Sequence, residues 1–137
     1  MGLRQVFYAD WQMECCGTPF SVGDEVSWPL RVAAADDVLG GGWPDPGLLM
    51  VERHGDKWPE TTGRVRAIHL VVQGYAETAP GSRTWEPVPG MRSLRPVETC
   101  PKWFKGDEPG KGGIRHGQVG VLVTLEADLP AGTTAAR

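Results

Sequence analysis

Residues 10–32 read DWQMECCGTPFSVGDEVSWPLRV, and their pattern decides the fold class. In the second half of this stretch every second residue is large and apolar: Val26, Trp28, Leu30 and Val32. A period of two is typical of a strand with one buried face. Residues 22–24, Val-Gly-Asp, supply turn residues just before it. We therefore predict a core strand over 25–32, preceded by a connection that contains Cys15 and Cys16.

Three further segments favour extended structure. Residues 118–129 carry valine and leucine on one parity, which predicts a second clear strand. Residues 63–75 are apolar on both parities, so a strand there is covered on both faces or carries a bulge. Residues 3–11 also favour extended structure. Their inward face is either Leu3, Phe7 and Trp11 or Val6 and Tyr8, and the sequence leaves both choices open.

The weaker elements complete the prediction. A short strand is expected at 83–88, and the prolines at 87, 89 and 96 predict that residues 83–97 are either broken or at a sheet edge. The apolar run within 46–54 fits a strand better than a helix. The chain has 137 residues, with 19 Gly and 12 Pro, which favours many turns and one domain.

We predict an all-β fold, a small antiparallel barrel of the SH3-like or OB-like kind, because closure removes exposed sheet edges. This single domain spans residues 1–129, with a long irregular insertion at 33–60. Residues 130–137 are predicted to form a flexible tail.

Composition narrows the partners and the compartment. The formal net charge of −3 and the pI near 5.6 disfavour a general nucleic-acid binder. There is no apolar run of membrane-spanning length and no secretory leader, so we expect a cytoplasmic protein without a membrane partner. An odd number of cysteines in a chain of this size indicates reduced thiols.

Two resemblances add to this. The order Val22-Gly23-Asp24-Glu25-Val26, followed by Gly63-Arg64-Val65, resembles the opening of SH3-like barrels of the KOW and Tudor kind, which implies a fold and no function. The opening DWQM at 10–13 with CCGTPF at 15–20 is similar to an uncharacterised family of small actinobacterial proteins. That resemblance implies no catalytic residues.

The cysteines allow two chemical alternatives. Cys15, Cys16 and Cys100 with His116 or another histidine form a fallback ligand set for zinc, although no C-x-x-C spacing is present. One of the paired cysteines, with a histidine as base, gives a small enzyme as the rival. Neither has a recognised motif, so we expect no catalytic residues, no metal and no cofactor. The cysteines are then small buried core residues.

The tryptophans favour a third hypothesis, a non-enzymatic binding or interaction module. The chain has six, and only Trp28 falls on a predicted core parity. The predicted contact residues are Trp43, Trp58, Trp85 and Trp103, together with Arg64 and Arg66 on one strand face. The partner is unknown. A protein or a small ligand is favoured, and a nucleic-acid-binding small barrel is kept as an alternative.

Overall fold

In the computed structural model of the protein, residues 2–33, 48–53, 58–106, 108–109 and 111–128 are described. Within these ranges, strands dominate and there is one short helix. The elements are β1 (Gly2–Ala9), α1 (Asp10–Cys16), β2 (Glu25–Val32), β3 (Leu49–Val51), β4 (Glu60–Glu77), β5 (Trp85–Val97), β6 (Glu108–Pro109), a 3₁₀ turn (Lys111–Gly113) and β7 (Arg115–Ala127). The predicted mostly-β class is confirmed. The helices of these ranges are too short to span a bilayer; α1, for example, has 7 residues.

Five of the strands close into a ring. β1 pairs with β7, β7 with β4, β4 with β2 and β2 with β3, all in antiparallel fashion. The last pair is parallel, with Val6 of β1 opposite Leu49 of β3. The sheet is therefore mixed rather than purely antiparallel. A parallel pair needs a long crossover, and the connection through α1 and β2 supplies one.

The interior of the ring holds the main core. β2 and β7 turn inward the parities predicted from their alternation, including Trp28, which is 3% exposed. β1 contributes Val6 and Tyr8, which settles the choice that the sequence left open. The buried cluster consists of Val6, Tyr8, Met13, Phe20, Trp28, Leu30, Leu49, Val51, Val65, Ile68, Leu70, Cys100, Val121, Val123, Leu125 and Ala127.

β4 is buried on both faces and is also bulged, so both predicted alternatives occur together. Ile68 points into the ring, while Val71 joins a second apolar cluster outside it with Phe7 and Met50. The register between β4 and β7 skips Arg66 on one strand and Val119 on the other. Each skipped residue bends its strand locally, which helps a sheet to curve and close.

The edge prediction for the proline-containing segment agrees with the topology, because β5 is the last strand of the sheet order on its side. It is longer than predicted and runs as one strand to Val97, so the alternative of a broken segment is wrong. The strand favoured within 46–54 is observed as β3.

Residues 10–16 form the helix α1, where we predicted the end of a strand and a loop. Strand β1 ends at Ala9, and Gln12 and Met13 on α1 are buried. The segment contains no glycine, proline or β-branched residue, which permits a helix, and Gly17 follows its end. Burial of Met13 over the ring is a tertiary effect that overrides the extended preference of Trp11.

Several predictions fall outside the described residues. They concern most of the insertion, with Trp43 and His54, and the tail at 130–137.

Candidate functional site

Helix α1 is fastened to residues 100–104. The Lys102 ammonium donates hydrogen bonds to the carbonyl oxygens of Met13 at 2.8 Å and Gly17 at 3.0 Å. The Glu14 carboxylate accepts one from the backbone N–H of Phe104 at 3.0 Å. The last carbonyls of a helix lack partners within the helix and carry partial negative charge, so an ammonium group stabilises this end. The two segments thus form one surface unit.

Two tryptophans project from this unit. Trp103 is 70% exposed and Trp11 is 52% exposed. Trp11 lies one turn before Glu14 on the same side of α1, and Glu14 contacts the residue after Trp103. Cys15 lies on that side as well. We call the side chains of Trp11, Cys15, Lys102 and Trp103 the tryptophan surface.

A network of polar side chains connects α1 to residues 52 and 53. The Gln12 amide is 1% exposed; it donates to Glu52 at 3.1 Å and accepts from the backbone N–H of Arg53 at 2.9 Å. Glu52 pairs in turn with Arg31 at 3.0 Å, and Arg53 donates to the Tyr8 hydroxyl at 2.9 Å. Burial raises the pKa of Tyr8, so its hydroxyl stays protonated at neutral pH. A satisfied buried network of this kind holds the helix in one position.

The pKa of Asp10, the first residue of α1, is also shifted. Partial burial raises the pKa of Asp10, and the negative charge of Glu14 one turn later adds to the effect. The tryptophan surface therefore has a neighbouring carboxyl group that is less readily ionised than usual.

The structure separates the other predicted contact tryptophans. Trp58 is 41% exposed and precedes β4, whereas Trp85 lies opposite Glu77 at the other end of that strand. The 18-residue strand between them corresponds to about 55 Å of extended chain. Trp85 is half-buried, and the Arg115 guanidinium lies 4.8 Å from its ring centroid. Of the predicted tryptophans, Trp103 alone belongs to the tryptophan surface within the described residues.

The two predicted arginines have partners within the protein. Arg64 donates to the carbonyl oxygen of Gly23 at 2.6 Å, in the turn before β2. Arg66 forms an ion pair with Glu126 on β7. Both are exposed on one face of β4, as predicted, but each guanidinium group already interacts with a group of the protein itself.

The prediction that all three cysteines are reduced is wrong for two of them. Cys15 and Cys16 form a disulfide between neighbouring residues, and Cys100 is free and buried. Neighbouring side chains on a strand point to opposite faces, but on a helix they are only about 100° apart. The unexpected helix therefore allows the two sulfur atoms to meet. Both residues are exposed, so they are not buried core residues as predicted.

The structure does not gather the fallback metal ligands. Cys100 lies in the ring interior, and His116 on β7 lies opposite Gly74. His69, another histidine, lies five residues earlier on β4, about 16 Å along the strand. Among the described residues, no three His, Cys, Asp or Glu side chains are grouped so that they could hold a metal ion.

We predict that the Cys100 thiol reacts only after unfolding. Burial raises its pKa to about 12, and its Sγ lies 3.4 Å from the carbonyl oxygen of Pro101. At pH 8 about one such thiol in 10,000 is ionised, against roughly one in four for an ordinary cysteine. A colorimetric disulfide reagent should therefore detect it at pH 8 in denaturant and not in the folded protein. Prompt reaction in the folded state would contradict its burial.

Sequence reasoning missed Trp11 and Lys102 as parts of a site. A signal was present for the helix, since residues 10–16 lack helix breakers and end at Gly17. No local pattern indicates that Lys102, which is 85 residues after Gly17, would bind the end of that helix.

The comparisons with known proteins identify a family and no activity. The sequence model of a family described as "Family of unknown function (DUF6578)" matches residues 2–127. No curated protein and no solved structure matches the chain.

Proposed function

Because the chain belongs to this family of unknown function, which brings no activity with it, we propose that it is a non-enzymatic binding module that captures a protein partner through the tryptophan surface. The observation that carries the proposal is the exposure of Trp103 and Trp11 on a firmly held unit. Large aromatic side chains are costly to leave in water, and tryptophan is enriched at the centres of protein interfaces.

The unit that presents these indoles is preorganised. Three hydrogen bonds from Lys102 and to Glu14 join α1 to residues 100–104, and the buried Gln12 amide holds α1 from the other side. A surface that is already ordered loses less conformational entropy on binding. Two indoles on such a unit suit an apolar pocket in a partner protein.

Charge favours a protein over a nucleic acid as the partner. The surface has both signs close together, because Glu14 of α1 and Lys102 both bond across the contact between α1 and residues 100–104. The exposed arginines of β4 are engaged by Gly23 and Glu126. A polyanion requires a positively charged track with aromatic platforms, and the net charge of −3 opposes one.

We also propose a cytoplasmic location, which rests on the sequence alone. The proposed actinobacterial source rests on the resemblance of residues 10–20, and the proposed likeness to SH3-like barrels rests on residues 22–26 and 63–65. Neither adds a contact residue.

The test uses Trp103→Ala and Trp11→Ala, with Leu3→Ala as the control. Leu3 is a large apolar residue that is 61% exposed, and it lies on β1 about 20 Å of extended chain before Ala9, where α1 begins. Proteins captured by the wild-type chain are identified by cross-linking, and the candidate is purified and titrated calorimetrically. We expect each surface variant to weaken binding about tenfold or more and the control to bind like wild type.

Two results would refute the proposal. One is equal affinity of wild type and Trp103→Ala for the purified partner. The other is a loss of more than about 2 kcal/mol in the free energy of unfolding for Trp103→Ala, which would make this residue structural. A nucleic acid as the captured species, with affinity falling steeply as salt rises, would replace the protein partner.

A further inference from the structure

The disulfide between Cys15 and Cys16 does not stabilise the fold by closing a loop. Disulfides stabilise proteins largely by restricting the unfolded chain, and the effect grows with the number of residues enclosed. These two residues are adjacent, so the peptide bond already holds them together. The chain also has a ring core of 16 buried apolar residues and does not need such a bond to fold. The ordinary structural reason for a disulfide is therefore missing.

Both sulfur-bearing residues are accessible to a reactant from solution. Cys15 and Cys16 are exposed at the end of α1, whereas Cys100 is fully buried. Exposed disulfides exchange readily with thiols, and labile or regulatory bonds are drawn from this class. Cys100 cannot take part in this exchange, because its thiol is buried within the ring.

The helix end around the bond suits the chemistry of exchange. Breaking a disulfide releases a thiolate, and the C-terminal end of a helix disfavours negative charge. Here the Lys102 ammonium donates to the carbonyl oxygens of Met13 and Gly17, which flank the cysteine pair in sequence. This positive charge offsets the partial negative charge of the helix end on which both cysteines lie, so it lowers the electrostatic cost of forming a thiolate there. Lys102 is thus a positioning and electrostatic residue for the pair.

We propose that Cys15 and Cys16 form a redox-active disulfide that exchanges with a dithiol reductant at the tryptophan surface. A thiolate of the reductant attacks one sulfur of the pair, the S–S bond breaks, and the other sulfur leaves as a thiolate that takes a proton from water. The second thiol of the reductant then attacks the mixed disulfide and releases the remaining cysteine. The protein disulfide gains two electrons and two protons, and the dithiol is oxidised to a disulfide.

Reduction of the disulfide is expected to change the fluorescence of Trp11. Cys15 lies four residues after Trp11 on α1, so their side chains are neighbours on one helix face. A disulfide quenches the fluorescence of an adjacent indole more strongly than a thiol does. The oxidation state of the pair is therefore readable without a binding partner, and this inference does not depend on the proposed protein partner.

The experiment counts thiols and follows tryptophan emission in the full-length protein. Protein purified in air is denatured and alkylated before or after treatment of the folded protein with dithiothreitol. Mass spectrometry should show one modified cysteine, Cys100, without the reductant and two more, Cys15 and Cys16, after it. Emission of the folded protein should rise on reduction and return on oxidation, and Trp11→Phe should remove most of the change.

Matched variants separate exchange from unfolding. Cys15→Ser with Cys16→Ser should show no response to dithiothreitol, while Cys100→Ser should respond like wild type. Lys102→Met should make the pair harder to reduce in a redox-buffered titration, because the positive charge that favours the thiolate is lost. The melting temperature should be nearly the same in the two oxidation states, because the bond closes no loop.

Three results would each overturn the proposal. The first is three free thiols in protein purified in air. The second is a bond that dithiothreitol reduces only after the chain has been unfolded. The third is a large fall in melting temperature on reduction, which would make the bond structural.

Discussion

Replacing Trp28 with alanine is expected to lower the free energy of unfolding by about 3–5 kcal/mol. Trp28 is 3% exposed at the centre of an aromatic group inside the ring. Its ring lies 5.3 Å from that of Tyr8 and 4.8 Å from that of Phe20, both in edge-to-face arrangements. Truncation removes these contacts and leaves a cavity that strands on all sides prevent from collapsing. Urea denaturation followed by far-ultraviolet circular dichroism measures the loss.

The control for this prediction is Trp103→Ala, which removes the same side chain from a position that is 70% exposed. We expect that variant to lie within about 0.5 kcal/mol of wild type. If Trp28→Ala does not fold at all, Trp28→Phe keeps part of the packing and should show a smaller loss of the same sign. A cost below about 1 kcal/mol for Trp28→Ala would show that the ring does not close around it.

Replacing Gly120 with alanine is expected to cost about 2–4 kcal/mol, from strain and overlap together. Gly120 has a φ of 149°, a conformation that side chains rarely adopt, and it lies on β7 beside the bulge at Val119. A Cβ there would overlap the Tyr8 carbonyl oxygen of β1 and lie 3.0 Å from the Phe7 ring. Because two of the three nearest atoms belong to the backbone of β1, the strand itself would have to move.

Gly81→Ala is the matched control for Gly120→Ala. Gly81 also has a positive φ, 76°, but a Cβ there would meet nothing within 4 Å. Gly81→Ala therefore measures only the cost of the positive φ, which we expect to lower the free energy of unfolding by about 1 kcal/mol. The difference between the two variants in urea denaturation measures the close approach of β1 and β7. If both variants lost the same free energy of unfolding, the close packing of β1 against β7 at Gly120 would add nothing to the cost of the substitution.

The strands were predictable where the sequence has strict alternation. The bounds of β2 agree with the prediction, and β7 and β4 differ from it by a few residues at each end. The outcome for β4 shows why a pattern with two apolar parities is still informative. Its residues are buried on both faces because β4 contributes Ile68 to the ring and Val71 to a cluster outside it.

The candidate site was predicted only in part. Trp103 was expected at a contact surface and is the most exposed large apolar side chain among the described residues. Trp11 was assigned to a strand, and the neighbouring cysteines were assigned to buried reduced thiols. Trp11, Cys15 and Cys16 were misassigned for one reason, because all three lie on the helix at 10–16. That helix depends on burial of Met13 and Gln12 against parts of the chain distant in sequence.

The alternation of apolar residues was enough to predict the mostly-β class, the positions of β2, β4 and β7 and the inward parity of β2 and β7, because the period of two is a local property of extended chain. Three features could be seen only in the folded chain: the parallel pairing of β1 with β3, the helix α1 and the hydrogen bonds from Lys102 to carbonyl oxygens at the end of that helix. Those features join residues far apart in sequence, and their stability comes from contacts that exist only after the ring has closed.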